Sequence, residues 1–308
     1  MLRKLVVVVL ALAVLGAAAF FFLTMPRGLA AADLPAREPD LANGRLMFFA
    51  GGFESCHAAP GATGDDLLKL AGGVTLDTPF GKFHAPNISP DREHGIGGWS
   101  TLDFVNAMKF GVAPDGSHLY PAFPYASYQR MTLEDLVDLK GFLDTLPPVA
   151  TSAPPHELPF PFNIRRGLGL WQLLYVDGRT FVPDPAATPA VNRGAYLVTG
   201  PGHCGECHSP RNQIGGIIAS RALSGGPAPE GKGTIPNITP DKATGIGDWS
   251  VDDLVSMFQT GFTPDFDSVG GSMTAVQQNL AKLGHDDLVA IAEYLKSLPP
   301  IVGTGPAS

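Results

Sequence analysis

Three cysteines and the histidines beside two of them carry the clearest chemistry in this sequence. Two residues separate Cys204 from Cys207 and His208 follows directly, which gives the pattern C-x-x-C-H. Two thiols at this spacing can bond the two vinyl-derived carbons of one porphyrin while the adjacent imidazole reaches the iron. A dithiol of the thioredoxin type would need a βαβ pattern, and a zinc site would need two further ligands. The pattern therefore predicts a covalent c-type haem on Cys204 and Cys207, with His208 on the iron.

An iron held by one histidine needs a second axial ligand, and methionine is the ligand that raises the reduction potential. Met273 stands in the Gly-rich stretch 270–274, before the last predicted helix, and no apolar periodicity surrounds it. Met257, in contrast, lies on a predicted helix and is expected to fill a core. Met273 is therefore the predicted sixth ligand.

The sequence repeats itself at an offset of 150 to 151 residues. Residues 87–100 read NISPDREHGIGGWS and residues 237–250 read NITPDKATGIGDWS, so nine of fourteen positions are identical. A Cys-His pair precedes each block, Cys56-His57 and Cys207-His208. A segment with leucines at helical spacing follows each block and ends at Leu-Pro-Pro. We predict an all-α fold with two copies of one small domain: the first copy, residues 38–149, and the second copy, residues 188–302.

Serine and threonine residues mark predicted helix starts in both copies. Ser100 and Ser250 each precede an aspartate by three residues, as N-cap residues do, and Thr132 does the same before Asp135. Residues 150–187, between the copies, are rich in proline, and we expect an extended linker whose apolar part, 168–176, packs on a domain.

The N-terminus predicts export. A short basic stretch, residues 2–4, precedes nineteen residues without a polar side chain, which is nearly enough to cross a bilayer as a helix. Residues 1–32 are expected to be a membrane anchor, or a signal peptide cut near the alanines at 30–32. Basic residues before the apolar segment predict that everything after it faces the periplasm.

Charge and composition narrow the classes of function. The chain is 44% apolar with a net charge of −8, which argues for packed domains and against a nucleic-acid-binding protein. After residue 32 the imbalance grows to 18 basic against 29 acidic residues. The exported part is therefore expected to meet neutral or basic partners.

The combination of motifs resembles class I cytochrome c domains. The C-x-x-C-H motif, the NITPD and GIGDWS segments, Met273 and the final YLKSLPP, residues 294–300, carry the resemblance. Together with LYPAFPY at 119–125 and LPFPFNI at 158–164, they resemble bacterial membrane-anchored dihaem cytochromes c, similar to the subunits that serve alcohol, aldehyde and gluconate dehydrogenases. The resemblance implies haem c as cofactor. It also implies one-electron transfer between a dehydrogenase or quinone and a downstream acceptor such as an oxidase, at the inner membrane.

The first copy departs from this pattern twice. Phe53 stands where the second copy has Cys204, and Phe123 stands where it has Met273. One alternative is a haem attached through Cys56 alone, with His57 on the iron and Met131 as sixth ligand, or else His118 or His84. A second is a haem with an open sixth position. A third is a copy without haem that serves as scaffold.

These alternatives keep several functions open. The leading prediction is an electron-carrier subunit rather than a catalyst on its own. The alternative is a haem enzyme, peroxidase-like or a small-oxyanion oxidoreductase, that uses a first site without methionine. A purely structural subunit of a dehydrogenase complex is the third possibility.

Overall fold

The computed structural model describes residues 1–228 and 233–303 of the chain. Within these residues the first half contains helices α1 (Leu2–Leu23), α2 (Leu41–Ala50), α3 (Phe53–His57), α4 (Thr101–Phe110), α5 (Tyr125–Tyr128), α6 (Leu133–Leu143) and α7 (Leu168–Tyr175). The second half contains α8 (Pro189–Thr199), α9 (Gly205–His208), α10 (Val251–Thr260), α11 (Ser272–Leu280) and α12 (His285–Ser297). Two antiparallel hairpins complete it: β1 (Thr75–Thr78) with β2 (Gly81–His84), and β3 (Gly226–Pro227) with β4 (Thr234–Ile235). The predicted all-α class is confirmed.

Each copy is built on one crossing of two helices, α2 with α6 in the first copy and α8 with α12 in the second. A glycine lies at each crossing. A Cβ atom on Gly44 would lie 2.1 Å from the backbone oxygen of Asp138, and one on Gly194 would lie 1.9 Å from that of Ala290. Only glycine lets the helices approach this closely. The equivalent positions of the two glycines, 150 residues apart, show that the sequence repeat is also a structural repeat.

The predicted helix starts are present. The Ser100 hydroxyl accepts a hydrogen bond from the amide of Asp103, whose carboxylate in turn accepts from the Ser100 amide, and Ser250 forms the same reciprocal pair with Asp253. The Thr132 hydroxyl accepts from the amide of Asp135 at the start of α6. Such caps satisfy backbone donors that a helix end leaves without partners.

The sequence predicts an extended linker over residues 150–187, but the structure shows that part of it is helical. Its apolar part forms α7, which packs on the first copy: the Gln172 side chain donates to the Gly111 carbonyl, and the Trp171 ring lies edge-on against Tyr125. Trp171 also donates to the carbonyl of Ile214 in the second copy. Apolar side chains at helical spacing explain this helix once a neighbouring domain covers one of its faces.

Helix α1 is long and apolar enough to cross a membrane, and none of its 22 residues is buried. Thr24, directly after it, is fully buried against the first copy. The Thr24 carbonyl accepts from the Nε2 atom of His118 at 2.8 Å, and its hydroxyl accepts from Arg166 at 2.8 Å. The end of α1 is therefore fixed to the first copy by side chains from two different segments.

Candidate haem sites

The C-x-x-C-H motif of the second copy lies on the short helix α9. The Nδ1 atom of His208 lies 2.9 Å from the carbonyl oxygen of Pro236, the residue that directly precedes the repeated NITPD block. A carbonyl only accepts, so Nδ1 carries the proton and Nε2 keeps its lone pair. Desolvation by the surrounding protein lowers the pKa of His208, which favours the neutral imidazole. This is the state in which a histidine binds iron.

The first copy holds its histidine in the same way. The Nδ1 atom of His57, on α3, lies 2.9 Å from the carbonyl oxygen of Pro86. Desolvation also lowers the pKa of His57. The backbone around the two histidines matches as well, because the His57 carbonyl accepts from Gly72 and the His208 carbonyl accepts from Gly225. Both imidazoles therefore have the tautomer that an iron ligand needs.

The cysteines differ in their surroundings. Burial, with a smaller contribution from Cys207, raises the pKa of Cys204 to about 12, so Cys204 is a neutral thiol at physiological pH. A thiol in this position is the group that adds to a haem vinyl carbon. Desolvation also raises the pKa of Cys56, although its side chain reaches the surface at α3.

Met273 lies in the first turn of α11, rather than in a loop as the glycines around it suggested, and it packs against the hydrophobic core. Phe123 also packs against the core but precedes α5, between Pro121 and Pro124. Proline has no amide hydrogen and is accepted only near the start of a helix, so the helix of the first copy begins later and is shorter. The local backbone thus differs at the two equivalent positions.

Phe53 fills the position of the missing cysteine with a stack of aromatic rings. It is buried between Phe48 and Tyr128, with centroids 5.8 Å away on each side and interplanar angles of 15° and 8°. The His57 ring lies 6.5 Å from the Phe53 ring. The substitution therefore replaces a thioether position with a packed aromatic contact beside the histidine.

The structure places the three candidates for the sixth ligand of the first copy in different surroundings. Met131 is fully buried and stands directly before the N-cap of α6, a position from which a hydrophobic side chain packs on the helix. Leu283 has the equivalent position before α12. His118 bonds to the carbonyl of Thr24. The Nδ1 atom of His84 lies 3.0 Å from the Thr75 hydroxyl. These contacts favour roles in packing and in anchoring the chain.

The two motif helices each touch the other copy. On α3, the Ser55 hydroxyl accepts from Asn279 at 2.9 Å, and on α9 the Glu206 carboxylate accepts from the Ser127 hydroxyl at 2.7 Å. Ser55 and Glu206 occupy equivalent motif positions, so the two contacts are related by an approximate twofold axis. The motifs therefore lie close together across the interface between the copies.

Further contacts join the motifs. The buried Glu54 forms an ion pair with Lys282 at 2.5 Å. His203, which precedes Cys204, lies edge-on against Tyr128 at 5.4 Å, and its Nε2 atom lies 3.3 Å from the Gly51 carbonyl oxygen. A line of rings thus runs from His57 through Phe53 and Tyr128 to the residue beside Cys204.

Sequence analysis missed several of these residues. The two prolines that hold the histidines stand one position before the repeated block, so the repeat itself contained their signal. Tyr128 and His203 had no such signal, because their contacts join residues about 75 positions apart and only the folded chain brings them together.

The donor set fits haem c. The second copy presents two thiols and a correctly protonated imidazole on one helix, and a thioether sulfur on another helix of the same copy. The first copy presents one thiol and the equivalent imidazole. Thiols for covalent attachment, with imidazole and thioether sulfur for the iron, are the groups that a c-type haem uses.

No family model matches the sequence. A curated protein from Cereibacter sphaeroides named "Diheme cytochrome c-type" is 49% identical over 292 residues, which cover 95% of this chain and 97% of that protein. The "Fructose dehydrogenase cytochrome subunit" of Gluconobacter japonicus is 37% identical, over 88% of this chain and 55% of that subunit. The "Gluconate 2-dehydrogenase cytochrome c subunit" of Pantoea cypripedii is 36% identical, over 87% and 62%.

The chain thus matches one relative along almost its full length and spans only about half to three fifths of these two dehydrogenase subunits. The predicted resemblance to dihaem cytochromes c is confirmed. With its repeated helical copies and its C-x-x-C-H helix, this chain belongs to the dihaem c-type cytochromes.

Proposed function

We propose that the chain carries electrons on the periplasmic face of the inner membrane, and that the second copy supplies all four groups that hold a c-type haem. There Cys204 and Cys207 hold the haem covalently, and His208 and Met273 bind the iron. The haem would supply one-electron chemistry at its iron. The protein would hold His208 and Met273 on the iron in both oxidation states, and Met273 packs against the hydrophobic core.

We also propose that the first copy, residues 38–149, retains a haem on Cys56 alone with His57 on the iron. The observation that carries this proposal is the hydrogen bond from His57 to Pro86, identical in length to that from His208 to Pro236. A copy that served as scaffold alone would not need to fix the tautomer of an imidazole. The line of rings between the motifs supports electron exchange between the two sites.

Helix α1 is proposed to remain as a membrane anchor. Cleavage near the alanines at 30–32 would remove Thr24 with its buried bonds to His118 and Arg166. It would also remove Leu29, whose amide donates to the Asn106 side chain at 2.7 Å, and Arg27, which donates to the Val176 carbonyl. Residues 24–29 are part of the packing of the first copy, which favours a retained anchor over a removed signal peptide.

The electron donor is proposed to be a dehydrogenase subunit or a quinone, and the acceptor a downstream protein such as an oxidase. The relatives named for fructose, alcohol and gluconate dehydrogenases support a dehydrogenase partner. The excess of acidic residues after residue 32 favours a partner with a neutral or basic face.

Intact mass and an alkaline pyridine spectrum, measured on the protein from a host that attaches haem c, test this proposal. We expect two haem additions, one lost in Cys204→Ser combined with Cys207→Ser and the other lost in Cys56→Ser. A single addition that survives Cys56→Ser would contradict the first site. The absence of any addition would contradict the whole proposal.

One observation favours a second candidate, a haem enzyme whose reaction site is the first copy. Phe123 offers no sulfur at the position of Met273, and Met131 occupies a packing position before α6. Carbon monoxide binding to the reduced protein, measured together with turnover of peroxide or an oxyanion, discriminates between the two functions. A rapid spectral change of half of the haem, together with turnover of peroxide or an oxyanion, would favour the enzyme, and a spectral change without turnover would favour the carrier.

A further inference from the structure

An apolar surface on the linker faces outwards although the linker packs on the first copy. Its members are large apolar side chains with more than two fifths of their area exposed. They are Phe160, Phe162, Ile164, Leu170, Leu173 and Leu174. We refer to these six side chains as the linker apolar surface.

The three leucines belong to α7 and have the spacing i, i+3 and i+4, which places them on one face of the helix. Gly169 and Gln172, which are buried, lie on the face that contacts the first copy. The apolar stripe of α7 therefore points away from the protein, whereas the helix of a soluble domain turns such a stripe inwards. This arrangement requires a partner that is itself apolar.

The position of α7 relative to α1 shows how far from the centre of a membrane spanned by α1 this surface would lie. The 22 residues of α1 are about 33 Å long at 1.5 Å per residue, close to the roughly 30 Å of a bilayer core. Thr24, the next residue, contacts α7: a Cβ atom on Gly169 would lie 2.7 Å from the Cα atom of Thr24. Helix α7 thus lies where α1 leaves the hydrocarbon core.

A basic side chain beside this surface matches a membrane interface. The Arg166 guanidinium lies 4.8 Å from the Phe21 ring centroid in the last turn of α1, and it donates to the Phe21 carbonyl. Arginine buries its apolar stem at a membrane interface while its charged head stays at the level of the lipid headgroups.

The charge of the segment points the same way. Residues 158–176 contain two arginines and no acidic residue, although acidic residues outnumber basic ones by 29 to 18 after residue 32. A basic segment in an acidic protein is attracted to anionic phospholipids. Charge complementarity and continuity with α1 therefore both indicate lipid rather than protein.

We propose that the linker apolar surface inserts into the boundary between headgroups and acyl chains of the bilayer that α1 spans. This inference rests on the retained anchor of the proposed function. It adds a second membrane contact, which fixes the orientation of the first copy on the bilayer instead of leaving the domain free to rotate about α1.

The test uses the full chain in vesicles of phosphatidylcholine and phosphatidylglycerol that contain a phospholipid with a photoactivatable diazirine near the headgroup end of an acyl chain. After illumination, peptide mass spectrometry compares labelling of residues 160–174 with labelling of 262–266. The latter segment is a matched control, because Phe262 and Phe266 are exposed aromatic residues in the second copy. We expect labelling several-fold higher in 160–174.

A double variant, Leu173→Glu with Leu174→Glu, sharpens the test. Both side chains are exposed, so the fold is expected to persist, and the haem spectrum checks this. Labelling of 160–174 should fall several-fold while labelling of α1 stays constant. Labelling of 160–174 equal to that of the control beside a labelled α1 would overturn the inference alone, whereas an intact mass that lacks residues 1–32 would contradict the proposed anchor.

Discussion

The two copies share one scaffold but differ at the loop that precedes α5 or α11. In the first copy this loop, residues 112–118, is covered: His118 bonds to Thr24 and the Gly111 carbonyl accepts from Gln172 of α7. In the second copy the equivalent loop, 262–268, is open, with Phe266 89% exposed. The copy that contacts α1 and α7 is also the one with Phe53 and Phe123 at the positions of Cys204 and Met273.

The two copies therefore differ in what their equivalent positions hold: the complete haem motif in the second copy and packed aromatic rings in the first. The second copy has the complete C-x-x-C-H motif, Met273 and an exposed aromatic loop. The first copy replaces Cys204 and Met273 with Phe53 and Phe123, and both phenylalanines pack with Tyr128. Its aromatic packing stabilises the domain that contacts the end of α1, while the equivalent loop of the second copy stays exposed.

The largest effect is expected from Met273→Phe, which gives the second copy the residue of the first. Loss of the thioether should lower the midpoint potential of that haem by on the order of 0.1–0.2 V, a fraction of the ~0.8 V over which axial ligands set haem potentials. A spectroscopic redox titration measures this shift.

Met257→Leu is the matched control, because Met257 is buried in the core of α10 and a volume-conserving change is tolerated there. An unchanged potential in Met273→Phe, or an equal shift in Met257→Leu, would contradict the assignment of Met273.

The reverse exchange, Phe123→Met, should have a smaller effect. A thioether in the first copy is expected to raise the lower of the two potentials and to slow binding of carbon monoxide to the reduced protein. The shift is expected to be incomplete, because Pro121 and Pro124 fix the backbone around residue 123 and α5 begins only at Tyr125. No change in potential or in carbon monoxide binding would mean that residue 123 does not face the iron.

Much of the scaffold could be predicted from sequence because its determinants are local and occur twice. The caps Ser100, Ser250 and Thr132, and with Thr132 the start of α6 at Leu133, follow from residues within one helical turn. The donor pattern of α9 is likewise contained in five consecutive residues. The repeat, at an offset of 150 to 151 residues, then showed which of these residues occur in both copies.

Other features depend on contacts between distant segments and left no local pattern. The ion pair of Glu54 with Lys282 joins residues 228 positions apart. The hairpins are only two to four residues per strand, too short for a periodic signal. The prolines of residues 150–187 predict an extended linker, but the eight residues of α7 contain no proline and the first copy covers one face of this helix.

The smallest effect concerns a lysine that only the first copy buries. Lys109 is 2% exposed and donates to the carbonyls of Gln129 and Met131 and to the Thr180 hydroxyl of the linker. Desolvation, with repulsion from Arg130, lowers the pKa of Lys109 to about 8 from its ordinary 10.5. The equivalent residue of the second copy is the exposed Gln259.

The lowered pKa gives a definite pH dependence. Below pH 8 Lys109 is charged in both states, and its buried charge costs stability. Between pH 8 and 10.5 the folded state loses its proton first while the unfolded state still binds one, so the free energy of unfolding rises with pH. Urea unfolding at a series of pH values should therefore show the wild type gaining stability relative to Lys109→Gln across this range. Gln259→Lys, which places a lysine at the exposed equivalent, should show no such gain, and a gain of equal size there would contradict a cause in burial.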